Sequence, residues 1–128
     1  MNANPVGWFE VPVTNMDRAE KFYKDFFGFS FEKRMEMEGG YLLSFFPSVR
    51  DAYGAPGALM LGTGYTPSHH GSILYFTAPE ENVRKAIEKA EQMGVPVILP
   101  RKSIGENGYI AWIEDSEGNA IALHSMKD

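Results

Sequence analysis

Trp8, Glu10 and Pro12 alternate along one short segment, so in an extended chain an indole, a carboxylate and a proline point the same way. A carboxylate on an inward strand face is costly unless it is paired, which makes Glu10 a candidate for chemistry or for anchoring a ligand. Near the other end, Trp112, Glu114, Ala122 and His124 fall at alternating positions of YIAWIED (109–115) and AIALHS (120–125). If Ile113 and Ile121 face a helix, those four turn to the opposite side. Carboxylates and an imidazole in an apolar trough suit proton transfer, with Glu10 or Glu114 as base and His124 as acid or orienting group. The same residues also make a pocket without chemistry, in which tryptophan faces hold a small ligand and Glu10 is the polar anchor. A third arrangement is a displaced metal site, Glu10, His70 and His124, of the two-histidine, one-carboxylate kind that holds iron or zinc. Each residue has a plainer role. Tryptophans fill interfaces, Met60 fills a core, Glu114 and the pair His69-His70 sit in solvent near turns, and His124 satisfies backbone groups.

The elements that would position these groups can be read from periodicity. VGWFEVPV (6–13) alternates as a strand, with Phe9, Val11 and Val13 opposite Trp8 and Glu10. Thr14 or Asn15 then caps a helix whose apolar stripe is Met16, Ala19, Phe22, Tyr23 and Phe26 and whose stop is Gly28. FSFEKRMEM (29–37) alternates, with Phe29, Phe31, Met35 and Met37 of one parity; YLLSFF (41–46) and ALMLG (58–62) follow as strands, separated by a loop at 47–57 long enough to act as a lid. After the connector 62–71 the order returns: strand SILYFT (72–77), a helix capped by Thr77 or Ala78 with Glu80 and Glu81 in its first turn and Val83, Ala86, Ile87, Ala90 and Met93 buried, then strands at 95–100, 109–115 and 120–125.

The chain thus reads as strand–helix–strand–strand–strand written twice, about 6–62 and about 71–125, with the helix stops Gly28 and Gly94 in equivalent places. Each unit covers one sheet face with its helix and leaves the other bare, so two units must pair. The expected fold is α+β, a single domain over 1–128 in which two βαβββ modules bring curved mixed sheets together as a cup with helices outside. Trp8, Glu10 and Pro12, then Ala58, Met60 and Gly62, then Ser72, Leu74 and Phe76, and finally Trp112, Glu114, Ala122 and His124 would line it.

Composition narrows the partners. The 128 residues are 44% hydrophobic and 23% charged, ordinary for a globular protein, and carry a net charge of −5. An acidic surface repels phosphate backbones, so nucleic acid is not an expected partner. The absence of cysteine removes disulfides, thiolate nucleophiles and cysteine-bound metals. No apolar run approaches the roughly 20 residues of a membrane span, and the first residues lack the pattern of a signal peptide, so the expected location is cytoplasmic.

WFEVPVTNMDRAEKFYKDFFGF, PGALMLG and WIEDSEGNAIALHS together resemble the vicinal oxygen chelate superfamily, which contains glyoxalase I, bleomycin resistance proteins and extradiol dioxygenases. The resemblance runs over about residues 6–125. It implies paired βαβββ modules around a cup, often assembled as a homodimer from modules of two chains. In members that use a metal, ligands stand at four points that fall here on Trp8, Met60, Ser72 and Ala122, none of them His or Glu. This departure from the family's ligand set disfavours a divalent metal and leaves the expectation of a protein without a cofactor that holds a small molecule on the residues alternation turns into the cup, Trp8, Glu10, Met60, Ser72, Leu74, Trp112 and His124, much as the resistance branch of the family sequesters drugs. The alternative is a glyoxalase-like lyase or isomerase, or a dioxygenase-type enzyme, working by acid–base chemistry or through the displaced metal site.

Overall fold

The computed structural model describes residues 4–128. The first module runs β1 (Phe9–Pro12), α1 (Met16–Phe27), β2 (Arg34–Met37), β3 (Tyr41–Phe45) and β4 (Gly57–Leu61). The second runs β5 (Tyr75–Thr77), α2 (Val83–Met93), β6 (Val97–Ser103), β7 (Tyr109–Glu114) and β8 (Ala120–Ser125). Each makes a four-stranded mixed sheet, in the orders β1-β4-β3-β2 and β5-β8-β7-β6. Among the strand pairs of the described residues β1·β4 and β5·β8 are parallel and the others antiparallel, so β2 runs in the direction of β1 and β6 in that of β5, as the helical crossovers α1 and α2 that join them demand. The sheets do not close into a barrel. No helix among the described residues is long and apolar enough to cross a membrane.

Asn15 is the N-cap of α1 and accepts from the Arg18 N–H at 3.0 Å. Gly28 ends the helix with φ 83°, and Gly94 ends α2 with φ 74°, the left-handed conformation that glycine adopts without strain. Met16, Ala19, Phe22, Tyr23 and Phe26 are buried as the helical spacing predicts. α2 starts later than the sequence suggests. Pro79–Glu81 form a separate 3-10 turn, Glu80 and Glu81 take positive φ, and Asn82 caps the helix by accepting from the Lys85 N–H. Of the stripe expected on α2, Val83, Ala86 and Ala90 are buried, whereas Met93 in the last turn is exposed.

One continuous core draws on both modules. Val11, Leu59 and Phe46 meet Tyr23 and Phe26 of α1, and the same cluster includes Ile113, Ile121, Leu123 and Val83. Phe76 is the bridge, with ring centroids 5.8 Å from Phe9 and 5.9 Å from Tyr23. The closing turn adds polar bonds across the same boundary. Tyr23 donates to Asp115 at 2.7 Å, Asn119 donates to the Pro12 carbonyl at 2.8 Å, and Glu117 accepts from the backbone N–H groups of Thr14 and Asn15 and from Arg18.

The 29–37 segment departs from simple alternation. Only 34–37 pair as a strand; Phe29 and Phe31 pack on Phe46 in the core, while Met35, opposite Leu43, faces the other side of the sheet. The irregular stretch before β2 lets the chain change faces, which the shared parity of these residues concealed.

Candidate functional site

On the sheet face away from α1, the first module builds an aromatic surface. Val11 enters the core, so its neighbours Glu10 and Pro12 turn outward. Register places Glu10 beside Ala58 and Ala58 beside Phe45, so a carboxylate and a phenyl ring flank a methyl group. Trp8 meets Phe45 edge-on at 6.1 Å. Tyr65, from the connector between the modules, packs with Leu43, Ala58 and Met60 and meets Tyr41 edge-on at 6.0 Å. Glu10 ties the group together: Trp8 Nε1 donates to Oε2 at 3.2 Å and Tyr65 Oη donates to Oε1 at 2.7 Å. That second bond, with some burial and the Glu10 charge, raises the Tyr65 phenol above its ordinary pKa. Glu10 is exposed, so its charge needs no buried partner; the desolvation argument from sequence does not apply to it.

The second module offers a matching face. Ile113 pairs with Ile121 and both are buried, so Trp112, Glu114, Ala122 and His124 share the outer side, as the sequence suggests. Tyr75, Ala122 and Trp112 form one row across three strands, and Trp112 Nε1 donates to the Tyr75 hydroxyl at 3.0 Å. Glu114 bonds His69 Nε2 at 2.6 Å, which gives the connector histidine a partner that sequence reasoning missed. His124 Nε2 lies 2.7 Å from the Asn107 carbonyl oxygen.

The face of β5 is reversed from the sequence reading. Phe76 pairs with Leu123 and joins the core, Leu74 packs against that core, and Tyr75 takes the outer face. In SILYFT the apolar residues carry no alternation, so periodicity could not choose; the signal was the partner strand, where Ala122 and Leu123 differ sharply in size. Ser72 lies before β5 and, with Glu10, His70 and Leu74, lines a hollow of about 190 Å³ between β1 and the start of β8; neither tryptophan lines it.

Glu10, His70 and His124 are not brought together. His70 lies by Glu10 in that hollow, but His124 is four residues along β8 from Ala120 at its rim, about 13 Å at strand rise. Among the described residues, no group of three or more His, Cys, Asp or Glu is placed to hold a metal ion. Glu114 and His124 share a face but occupy different rows, opposite Ala120 and Ile110.

A family model, that of the Glyoxalase/Bleomycin resistance protein/Dioxygenase superfamily, matches residues 6–123. The chain belongs to this superfamily. Curated relatives include the "Putative glyoxylase CFP32" of Mycobacterium tuberculosis, 25% identical over 116 residues, which are 91% of this chain and 43% of that protein. The chain thus spans less than half the length of the curated relatives it matches. Among solved structures, the trypanothione-dependent glyoxalase I of Leishmania major has a TM-score of 0.71 and 20% identity, over 97% of this chain and 88% of that one. TnmS3, an antibiotic binding protein from Streptomyces sp. CB03234, has a TM-score of 0.63 and 23% identity, over 98% of both chains. Likeness at this level shows the shared fold.

The superfamily's metal does not fit this member. At the four positions the resemblance implies, Trp8 is an indole donating to Glu10, Met60 is buried among Leu43, Ala58, Phe45 and Tyr65, and Ala122 is buried with no donor atom. Ser72 alone offers a side-chain oxygen. Divalent ions in such sites take imidazole or carboxylate, and neither is there.

Proposed function

We propose that this superfamily member binds a small, partly apolar organic molecule on its outer sheet faces without a metal. Trp8 and Trp112 act as walls, Met60 lies beneath, Ser72, Leu74 and His124 stand at the margins, and Glu10 is the polar anchor. The observation that carries this reading is the Glu10 carboxylate, held by both Trp8 and Tyr65 on an aromatic surface: an acceptor fixed beside flat apolar faces is what a small-molecule site needs. The fold shared with an antibiotic binding protein supports the same reading. Two copies forming a homodimer would let the face of one module meet that of another and enclose the ligand.

Trp8 and Trp112 are the two tryptophans of the chain, so intrinsic emission reports on both faces. Titration with a panel of neutral, cationic and anionic planar aromatic compounds should quench that emission saturably. Replacing Trp8 and Glu10 with Ala should remove binding while the far-UV circular dichroism stays unchanged. Binding at undiminished affinity in that variant rejects these roles.

The His69–Glu114 pair favours a second reading, acid–base catalysis on the second face with Glu114 as base. Turnover of an aldehyde or hemithioacetal with a bell-shaped pH–rate profile, lost in Glu114→Gln, is its test; a profile that survives the substitution sinks it.

A further inference from the structure

On the first-module face two rings, Trp8 and Tyr65, hold the Glu10 carboxylate, and a third, Phe45, meets Trp8 and already carries a cation. The Lys33 ammonium lies over the Phe45 ring, 5.7 Å from its centroid. The Phe45 N–H donates to the Lys33 carbonyl at 3.1 Å, so the backbone fixes where that side chain starts. Phe45 is in edge contact with Trp8, and Trp8 and Tyr65 both donate to Glu10. Their N–H and O–H groups orient the carboxylate without neutralising it, leaving a negative charge on the same surface as the Phe45 ring, whose face of negative quadrupole carries the Lys33 cation. Small Ala58 lies between Glu10 and Phe45 in the sheet.

We propose that Trp8, Phe45, Tyr65 and Glu10 form a site for an organic ammonium group, and that Lys33 is its resident competitor, displaced when the ligand arrives. The inference rests on the binding reading above and deepens it by naming the ligand's charge. Quaternary and tertiary ammonium groups suit such a corner better than a lysine does, because their methyl groups pack on the rings and their charge is weakly hydrated. Lys33, on a flexible stem with a strongly hydrated head, is easily exchanged. The device would keep the corner covered when empty and would select against anionic and neutral compounds of the same shape.

The test compares choline with 3,3-dimethylbutan-1-ol, which has the same shape and no charge. Trp8 emission is followed in a Trp112→Phe background, so that one face is read, and each affinity is also measured by calorimetry on the protein with both tryptophans in place. Choline is expected to bind about tenfold more tightly than the alcohol. Glu10→Gln should reduce choline affinity about tenfold and leave the alcohol unchanged. Lys33→Met, which keeps the apolar stem, should raise choline affinity severalfold and the alcohol's by less, because both ligands displace the ammonium but only choline is repelled by its charge. Equal affinity for the two probes, or no gain in Lys33→Met, overturns the proposal. If planar neutral compounds still quench Trp8 in that case, the binding face stands and only its charge selection is wrong. If nothing perturbs Trp8 and calorimetry on the protein with both tryptophans shows no binding either, the binding reading itself fails.

Discussion

Glu10 shows how much one side chain can organise and how little of that is visible from its neighbours in sequence. Alternation puts Glu10 beside Trp8, and the bond between them follows from that spacing. Tyr65, Phe45 and Lys33 were not legible as site residues, because each reaches the corner through a connector or through strand register rather than through sequence distance. Tyr65 lies 55 residues from Glu10, yet its hydroxyl makes the shorter of the two bonds. Tyr65→Phe should therefore leave Glu10 held by Trp8 alone and weaken binding of a cationic aromatic ligand two- to fivefold, measured by fluorescence titration. Exposed Trp8 contributes little to the core, so Trp8→Ala should change the free energy of unfolding by no more than about 0.5 kcal/mol in a urea titration. A larger loss would mean that the indole serves the fold rather than a ligand.

At the scale of elements, the parallel pair β1·β4 decides where Trp8 and Glu10 point. Gly57 opens β4 opposite Phe9, and a Cβ there would sit 2.5 Å from the Phe9 carbonyl oxygen and 2.6 Å from its ring. Both neighbours are held, one by backbone and the other by its contacts with Phe46 and Phe76. Gly57→Ala should push β1 outward, destabilise the protein by about 2 kcal/mol in chemical denaturation, and weaken ligand binding in the same variant. Strands and helices were largely legible, since Gly28, Gly94 and Asn15 mark helix ends by mechanisms that act locally. The face of β5 and the start of β2 were not, because three- and four-residue strands take their orientation from the partner they join. The start of α2 was obscured for a related reason: Ala78 is followed by residues that suit a first turn, but the helix begins only where Asn82 can accept from Lys85.

At the scale of the molecule, Glu117 clamps the two modules. Burial favours its neutral form, but bonds from Arg18, the N–H groups of Thr14 and Asn15, and Ser116 outweigh that and hold its pKa at about 2, well below the ordinary 4.5. A folded-state pKa below the unfolded one means that the stabilisation is complete above about pH 4.5 and drains away as pH falls toward 2. With Arg18 half exposed and screened by solvent, the clamp contributes on the order of 2 kcal/mol. Glu117→Gln should lower the thermal midpoint by several degrees at pH 7 and flatten its decline between pH 5 and pH 2. Dialysis against a chelator should leave binding of planar aromatic ligands unchanged, as the side chains at Trp8, Met60, Ser72 and Ala122 imply; loss of binding restored by zinc would contradict this. Glu117 also lies 103 residues beyond Thr14, whose backbone it receives. During synthesis the first helix therefore emerges from the ribosome long before the carboxylate that completes its beginning has been translated. A message ending before the codon for Asp115 would yield a chain with its first helix unanchored and Tyr23 without its acceptor, so quality control should treat such truncations as unfolded.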